Sequence, residues 1–446
     1  MAPQGKKRTV VIGLDGTPYH FIKKMIADGV CPHLARLASS GSLLEMKSTH
    51  PAISSVAWTS FSTGVNPAKH GIFGFMERTP NTYDIYFPNS KHVMSKTVWN
   101  ILRDYNKRSV VINVPSTYPA QEMNGVLVAG FVAIDLARAS YPSSIVPKLK
   151  EMGYKIDVET QLITESKDKL LDDIFLTLEK RTQAILHFLK NEAWDLFIGV
   201  FTETDRLHHF FWDAFERNTP HLGARFLDYY KKVDDSIGKI VEGLSDDVTL
   251  ILLSDHGFCE LKQEIYINYW LKTEGFLSFK AGPPKSLSDI APGSKAYCLD
   301  PGRIYLNVKG REPNGCVSPG EEYEQLRNTL IAKLMELRDP ETKTTLIDKV
   351  HKRENIYRGK YIDRAPDLVI EPKHGYDLKG AFSKELLLSK GNFTGMHTYD
   401  NAFVFVSQKN MVKNSVEIID VTATILASLD IPIPDDMDGV NMVKWD

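Results

Sequence analysis

The feature that most constrains this chain is a set of short, nearly all-apolar runs: TVVIGLD (9–15), SVVINV (109–114), GVLVAGF (125–131), DLFIGVF (195–201) and VTLILLSD (248–255). Runs of this length, rich in β-branched residues and bounded by polar or turn residues, read as parallel strands covered on both faces. Helical patterns lie between them. Leu171, Ile174, Phe175, Leu178, Ile185, Phe188 and Leu189 fall at three- and four-residue spacing, and Phe226, Tyr229, Val233, Ile237, Ile240 and Val241 repeat the pattern. Alternating strand and helix predicts an α/β fold with a doubly wound, mostly parallel sheet and helices on both faces. The stretch 259–395 is less regular, with AGPPKSLSDIAPGS and KGREPNG before a helical segment at 321–338. It reads as an insertion or cap within a single domain spanning 8–446, which a last helix near 417–429 closes.

At 446 residues and 43% hydrophobic content the chain can bury a large core. Its 54 Lys+Arg balance 56 Asp+Glu, so no broad basic surface exists to hold a nucleic-acid polymer, and any phosphate affinity must be local. The opening MAPQGKKRTVVIGLDG lacks the apolar segment and cleavage site of a secretory leader, and no apolar run is long enough for a membrane span. Cys31, Cys259, Cys298 and Cys316 form no CxxC pair, which argues against a disulfide framework or a thiolate zinc site. The expectation is a cytoplasmic protein with a small-molecule partner and no membrane association.

The chemistry concentrates at the ends of the apolar runs. Asp15 ends the first, in GLDG, where open α/β sheets place their ligands, although Asp-Gly is equally an ordinary turn. DLFIGVF leads into TETDRLHHF, whose Asp205 and His209 share a face if the segment is helical, a spacing that also arises by chance. VTLILLSDHGF is the sharper signal, because Asp255, His256 and Gly257 place acid, base and turn residue together at a strand end. Three carboxylates brought to one edge repel each other unless cations compensate them. Mixed Asp/His ligation suits zinc first and manganese second, and two such ions can clamp the attacking and leaving oxygens of a displacement at phosphorus.

Together with HPAISSVAWTSFSTGVNPAKHGIFGF (50–75), these motifs resemble the alkaline phosphatase superfamily, in its type I phosphodiesterase/nucleotide pyrophosphatase branch and predicted phosphohydrolase/phosphomutase group. NVPSTYP (113–119), GREPNG (310–315), APDLVI (365–370), GMHTYDNAFVF (395–405) and the closing IPIPDDMDG are similar to the same group, so the likeness spans nearly the whole chain. It implies an alkaline-phosphatase-like fold and places Ser54 at the nucleophile, with Ser55 the alternative one residue on. It further implies one metal held by Asp205, His209 and His397, and a second held by Asp15, Asp255, His256 and the Ser54 oxygen. The implied reaction is cleavage of a phosphodiester, nucleotide-like in one reading, through a phosphoseryl intermediate. A phosphomonoesterase or phosphomutase, and a non-catalytic binding protein that keeps the fold, are the alternatives. Two positions depart from the branch. Phe75, preceded by Gly74, stands where an Asn contacts the phosphoryl oxygen, which weakens a pyrophosphatase reading, and Ala423 replaces a common Pro.

Other residues have plainer readings. Trp58 is core or a pocket floor, with core the simpler reading. Lys47, Lys69, Arg78 and Arg206 adjoin the implied site, but basic residues are usually solvated and none is assigned a role. His208 turns about 100° away from its ligand neighbour on a helix. His70 is expected to make a structural hydrogen bond. KGREPNGC lacks the Lys-Ser/Thr of a phosphate loop, and no GxSxG motif occurs.

Overall fold

The first apolar run forms strand β1 (Arg8–Leu14), which is buried along nearly its whole length because it has parallel neighbours on both sides. In the computed structural model, which describes residues 7–245 and 247–445, the chain divides into two compact units. The first comprises Met1–Val65, Asn89–Phe258 and His397–Asp446, the second Asn66–Pro88 and Cys259–Met396.

Among the described residues of the first unit, nine strands form one sheet. In chain order they are β1, β2 (Ser42–Lys47), β3 (Ser109–Ile112), β4 (Gly125–Val128), β5 (Ser140–Tyr141), β6 (Leu196–Phe201), β7 (Val248–Leu253), β8 (Ala402–Val406) and β9 (Val416–Glu417). The spatial order is β9-β2-β8-β7-β1-β6-β3-β4-β5. From β7 to β4 all neighbours are parallel, in register Val10↔Phe197 and Val10↔Leu250 about β1. The antiparallel strands are β8, which pairs with β7 and β2, and β5, which pairs with β4. This is the mostly parallel α/β sheet that the sequence predicts, with antiparallel additions at both edges.

The helices of this unit are α1 (Tyr19–Ala27), α2 (Pro32–Ser40), α3 (Ser54–Thr63), α4 (Val98–Asp104), α5 (Lys167–Asn191), α6 (Glu203–Glu216), α7 (Leu222–Glu242) and α8 (Ile418–Ser428), beside shorter turns. One face of the sheet, through Val11, Val111, Ile198, Val200, Ile251 and Leu253, packs on Trp58 and Phe61 of α3 and on Val421 and Ile425 of α8. Within α3 every residue from Ser55 to Thr63 is buried, so this helix has no solvent face. Gly13 makes that packing possible: a methyl group there would overlap the Trp58 ring.

All but one of the strands end before the apolar runs do, at Leu14, Ile112, Val128 and Leu253. The last residues of each run leave the ladder to build the loops at the sheet's C-terminal edge, and Asn113 does so with φ of 64°. The second unit holds a four-stranded antiparallel sheet, ordered Ala296–Leu299, Arg303–Leu306, Leu368–Pro372, Ile347–Lys352. A three-stranded sheet and the helix Glu321–Met335 accompany it, around a core of Tyr297, Leu306, Leu330, Leu368 and Leu378. That helix stops short of 338 because Leu337 turns to accept a backbone hydrogen bond from Leu346 N at 3.0 Å and Arg338 bridges Thr345.

Candidate metal centre

Three neighbouring parallel strands, β7, β1 and β6, end at the same edge, and the side chains that follow them meet there. Asp15 follows β1 directly. Asp205 and His209 lie in the first two turns of α6, which starts immediately after β6. Asp255 and His256 follow β7. The antiparallel direction of β8 brings its N-terminal side to this edge, and with it His397, while β2 runs antiparallel to β8 and delivers the loop that starts α3 at Ser54. All seven residues belong to the first unit.

The turn after β1 is built around Gly16, whose φ of 64° favours glycine and whose N–H donates to Asp255 Oδ1 at 3.0 Å. Asp15 is pinned at three points. Its carbonyl accepts from Thr204 Oγ1 at 2.6 Å, and its Oδ2 accepts from the Trp58 indole N–H at 2.9 Å. Its Oδ1 is thereby turned to the Ser54 hydroxyl, which donates to it at 3.2 Å. Trp58 is therefore both core and a support of the site, a pairing that the choice between core and pocket floor leaves out.

The histidine tautomers follow from their outer contacts. His256 Nδ1 faces Gly257 O at 3.0 Å and His397 Nδ1 faces Ala52 O at 3.1 Å. A carbonyl can only accept, so both Nδ1 atoms carry the proton and both Nε2 atoms present a lone pair inward. His256 Nε2 lies 3.3 Å from Ser54 Oγ, 3.4 Å from Asp255 Oδ2 and 3.7 Å from Asp15 Oδ1. His397 Nε2 lies 3.1 Å from Asp205 Oδ1 and 2.9 Å from His209 Nε2, and His209 Nε2 is 3.4 Å from the same oxygen. The His256 and His397 rings stack at 3.7 Å, which joins the two groups, and Phe258 packs against His209, His397 and His256.

These donors suit cations. Three ligand atoms about 2.0–2.1 Å from a tetrahedral zinc lie roughly 3.3 Å from one another, and the separations across the two groups run from 2.9 to 3.7 Å. Donor atoms of Asp15, Asp255 and His256, and of Asp205, His256 and His397, lie within 4.8 Å of each other. Asp255 Oδ2 is buried with no N–H or O–H donor directed at it, which is costly for a carboxylate oxygen unless a cation meets it. Burial, reinforced by the charges of Asp255 and Asp205, holds the Asp15 carboxyl well above the usual carboxylate range. Burial likewise pushes Asp255 up to about 6. Burial acts in the same sense on Asp205, but His209, His397 and Arg206 overcome it and hold this carboxyl well below its ordinary value. Burial, with His397 nearby, keeps His256 neutral down to about pH 3.

The neighbours expected to stay outside the centre do so. His208 is buried, with Nδ1–H directed to Gly16 O at 2.9 Å and Nε2 accepting from Tyr230 OH at 2.7 Å. His70 accepts from Ile72 N at 3.2 Å, a structural hydrogen bond. Ser55 is buried with no hydrogen-bond partner for its hydroxyl, whereas half-buried Ser54 reaches Asp15 and His256. Thr204, Phe258, Arg206 and Asp157 border the site without any earlier assignment. Thr204 and Arg206 flank Asp205 in sequence, and that adjacency was the one signal available for them.

The type I phosphodiesterase/nucleotide pyrophosphatase family model matches residues 9–400. A sequence search of curated proteins finds no match. Phosphonoacetate hydrolase from Sinorhizobium meliloti 1021, in complex with phosphonoformate, superposes with a TM-score of 0.66 at 16% identity, covering 95% of this chain and 96% of that one. Murine ectonucleotide pyrophosphatase/phosphodiesterase 5, in an inactive form with AMP, superposes at 0.59 with 14% identity over 97% of each chain. At these identities the likeness shows a shared fold. No helix among the described residues is long and apolar enough to cross a membrane.

Proposed function

The chain belongs to the type I phosphodiesterase/nucleotide pyrophosphatase family, and on that premise we propose that it cleaves a phosphodiester with Ser54 as nucleophile and two divalent cations as cofactors. Family and fold place it among phosphodiesterase/pyrophosphatase-type phosphohydrolases. The observation that carries the finer reading is the position of Ser54 Oγ, 3.2 Å from Asp15 Oδ1 and 3.3 Å from His256 Nε2, beside the donors of the first group.

Asp15, Asp255, His256 and the Ser54 oxygen would hold one cation, and Asp205, His209 and His397 the other, zinc being favoured and manganese the second choice. Bound there, the cations supply Lewis acidity that lowers the serine pKa and offsets charge on the attacking and leaving oxygens. The protein's own groups do the rest. Trp58 and Thr204 fix Asp15, so the Ser54 hydroxyl is held by Asp15 Oδ1 at the start of α3, where the helix N-terminus favours the developing alkoxide. Ser54 Oγ forms a bond to phosphorus as the ester P–O bond breaks. The departing alcohol takes up the proton given up by the serine. Water then adds to the phosphoserine, the Oγ–P bond breaks, and the serine hydroxyl is restored with release of the phosphate product.

The AMP complex of the murine relative supports a nucleotide ester as substrate. The 259–395 stretch, within one catalytic domain over 8–446, is proposed as the part that sets substrate choice. The four free cysteines support a reducing, cytoplasmic setting, which fractionation of native cells checks. Turnover of bis(para-nitrophenyl) phosphate and the para-nitrophenyl ester of thymidine monophosphate, measured against para-nitrophenyl phosphate with zinc or manganese, tests the substrate class. Monoester turnover exceeding diester turnover by orders of magnitude would replace this reading with a phosphomonoesterase or mutase. Ser54→Ala should retain metal and lose turnover by several orders of magnitude. A wild-type protein that holds no metal through dialysis would instead be a binding protein.

A further inference from the structure

We propose that Arg206, locked in place by Asp157, is a positioning residue that restricts Asp205 to one-oxygen ligation and so sets the affinity of the Asp205/His209/His397 group for its cation. This inference rests on the two-cation reading above.

The two oxygens of Asp205 have separate partners. Oδ1 faces His397 Nε2 at 3.1 Å and His209 Nε2 at 3.4 Å, while Oδ2 accepts from Arg206 Nη1 at 3.1 Å. A carboxylate free to turn about Cβ–Cγ can offer a cation either oxygen or both. With a guanidinium on Oδ2, only Oδ1 remains to complete a compact site with two imidazoles.

Arg206 is itself held. Adjacent residues on a helix diverge by about 100°, so its contact with Asp205 requires the long side chain to fold back, at a cost in rotamer freedom. Asp157 secures the fold-back from the loop before α5, accepting from Nη2 at 2.8 Å and from Nε at 3.4 Å in a fork-like pair. The Phe131 ring covers the guanidinium at 4.6 Å and shelters the pair from water. Asp157 also resolves an electrostatic difficulty. A lone guanidinium beside two dications would oppose their binding, whereas the Arg206–Asp157 pair donates a hydrogen bond to Asp205 with no net charge. Arg206 and Asp157 keep side-chain exposures of 17% and 21%, so substitution there leaves the core packing in place.

The test measures metal content after dialysis and calorimetric zinc and manganese isotherms for the wild type, Arg206→Gln, Arg206→Lys and Asp157→Asn. Asp255→Asn serves as a comparator for the other group. Outer-shell substitutions of this kind weaken metal binding by roughly 10–100-fold. The expected result is a loss of that size in one of two binding events in Arg206→Gln, with the other event unchanged. Asp157→Asn should weaken the same event, because it loosens the fold-back and leaves the guanidinium charge uncompensated, and Arg206→Lys should lose less than Arg206→Gln, because an ammonium keeps one charged hydrogen bond without the fork. Asp255→Asn should weaken the event that Arg206→Gln spares. Isotherms of Arg206→Gln and Asp157→Asn that match the wild type would overturn the proposal. So would an equal weakening of both events with a lowered unfolding temperature of the metal-free variants, the mark of a merely structural role. Should Arg206→Gln fail to fold, Asp157→Asn decides alone. A wild-type chain that binds no metal would overturn the two-cation reading and this inference together, an outcome distinct from a failure of the variants.

Discussion

At the scale of single residues, Trp58 shows how a core side chain can act on chemistry. Its ring fills the space above Gly13, and its one polar atom is committed to Asp15 Oδ2. Trp58→Phe keeps most of the packing and removes the donor. A hydrogen bond to a charged acceptor contributes about 1.5–3 kcal/mol, so the Asp15/Asp255/His256 group should bind zinc about 10-fold or more weakly in calorimetric titration, with far-UV circular dichroism unchanged. An unaltered isotherm would assign Trp58 to packing alone. His208 gives a prediction about pH. Burial lowers its pKa to about 3, whereas an unfolded histidine titrates near 6.5. Between those values unfolding takes up a proton that the folded ring refuses, so this residue's contribution to stability shrinks as pH falls. Integrated from pH 7 to 5, that is about 2 kcal/mol. Urea denaturation at the two pH values should show His208→Gln losing about that much less than the wild type, and parallel losses would contradict a neutral buried ring.

At the scale of elements, the site depends on where strands end. Asp15, Asp205 and Asp255 could be found in the sequence because a buried parallel strand appears there as an uninterrupted apolar run, and the polar residue that breaks the run marks the edge where ligands bind. His397 was different. It precedes a strand that is antiparallel to its neighbours, and direction leaves no trace in a run such as AFVFV, so only the resemblance indicated it. Once β8 is seen beside β7, the geometry accounts for its position. The contacts that orient the donors were not legible either, since the bond from Trp58 to Asp15 and the pair formed by Asp157 and Arg206 depend on rotamers and on chain segments far apart in sequence. Residues 66–88 group with 259–396 for the same reason: Tyr83 OH bonds Asn307 Oδ1 at 2.7 Å, and no local pattern announces that contact. The meeting of β1 and α3 offers a test at this scale. Gly13→Ala forces the indole to shift, and overpacking of this kind costs about 1–3 kcal/mol. Urea denaturation should register that loss, and zinc affinity at the Asp15 group should fall with it. A variant as stable as the wild type, with unchanged affinity, would show that the close approach of ring and strand is not required.

At the scale of the whole molecule, the two proposed cations, held only by the folded state, would act as a reservoir of stability. A site occupied at 100 times its dissociation constant adds about 2.7 kcal/mol. Thermal unfolding should therefore shift upward with added zinc and downward with a chelator, and Asp255→Asn should reduce the span between the two. A transition indifferent to metal would count against a cation at either group. The chain positions of the donors also impose a schedule on biosynthesis. Asp15, Ser54, Asp205, His209, Asp255 and His256 are all synthesised before the Cys259–Met396 segment, but β2, which delivers Ser54, reaches β7 only through β8, and both β8 and His397 follow that segment. Both proposed ion-binding groups would therefore be completed only after the chain beyond Met396 has been made, so metallation should follow translation rather than accompany it.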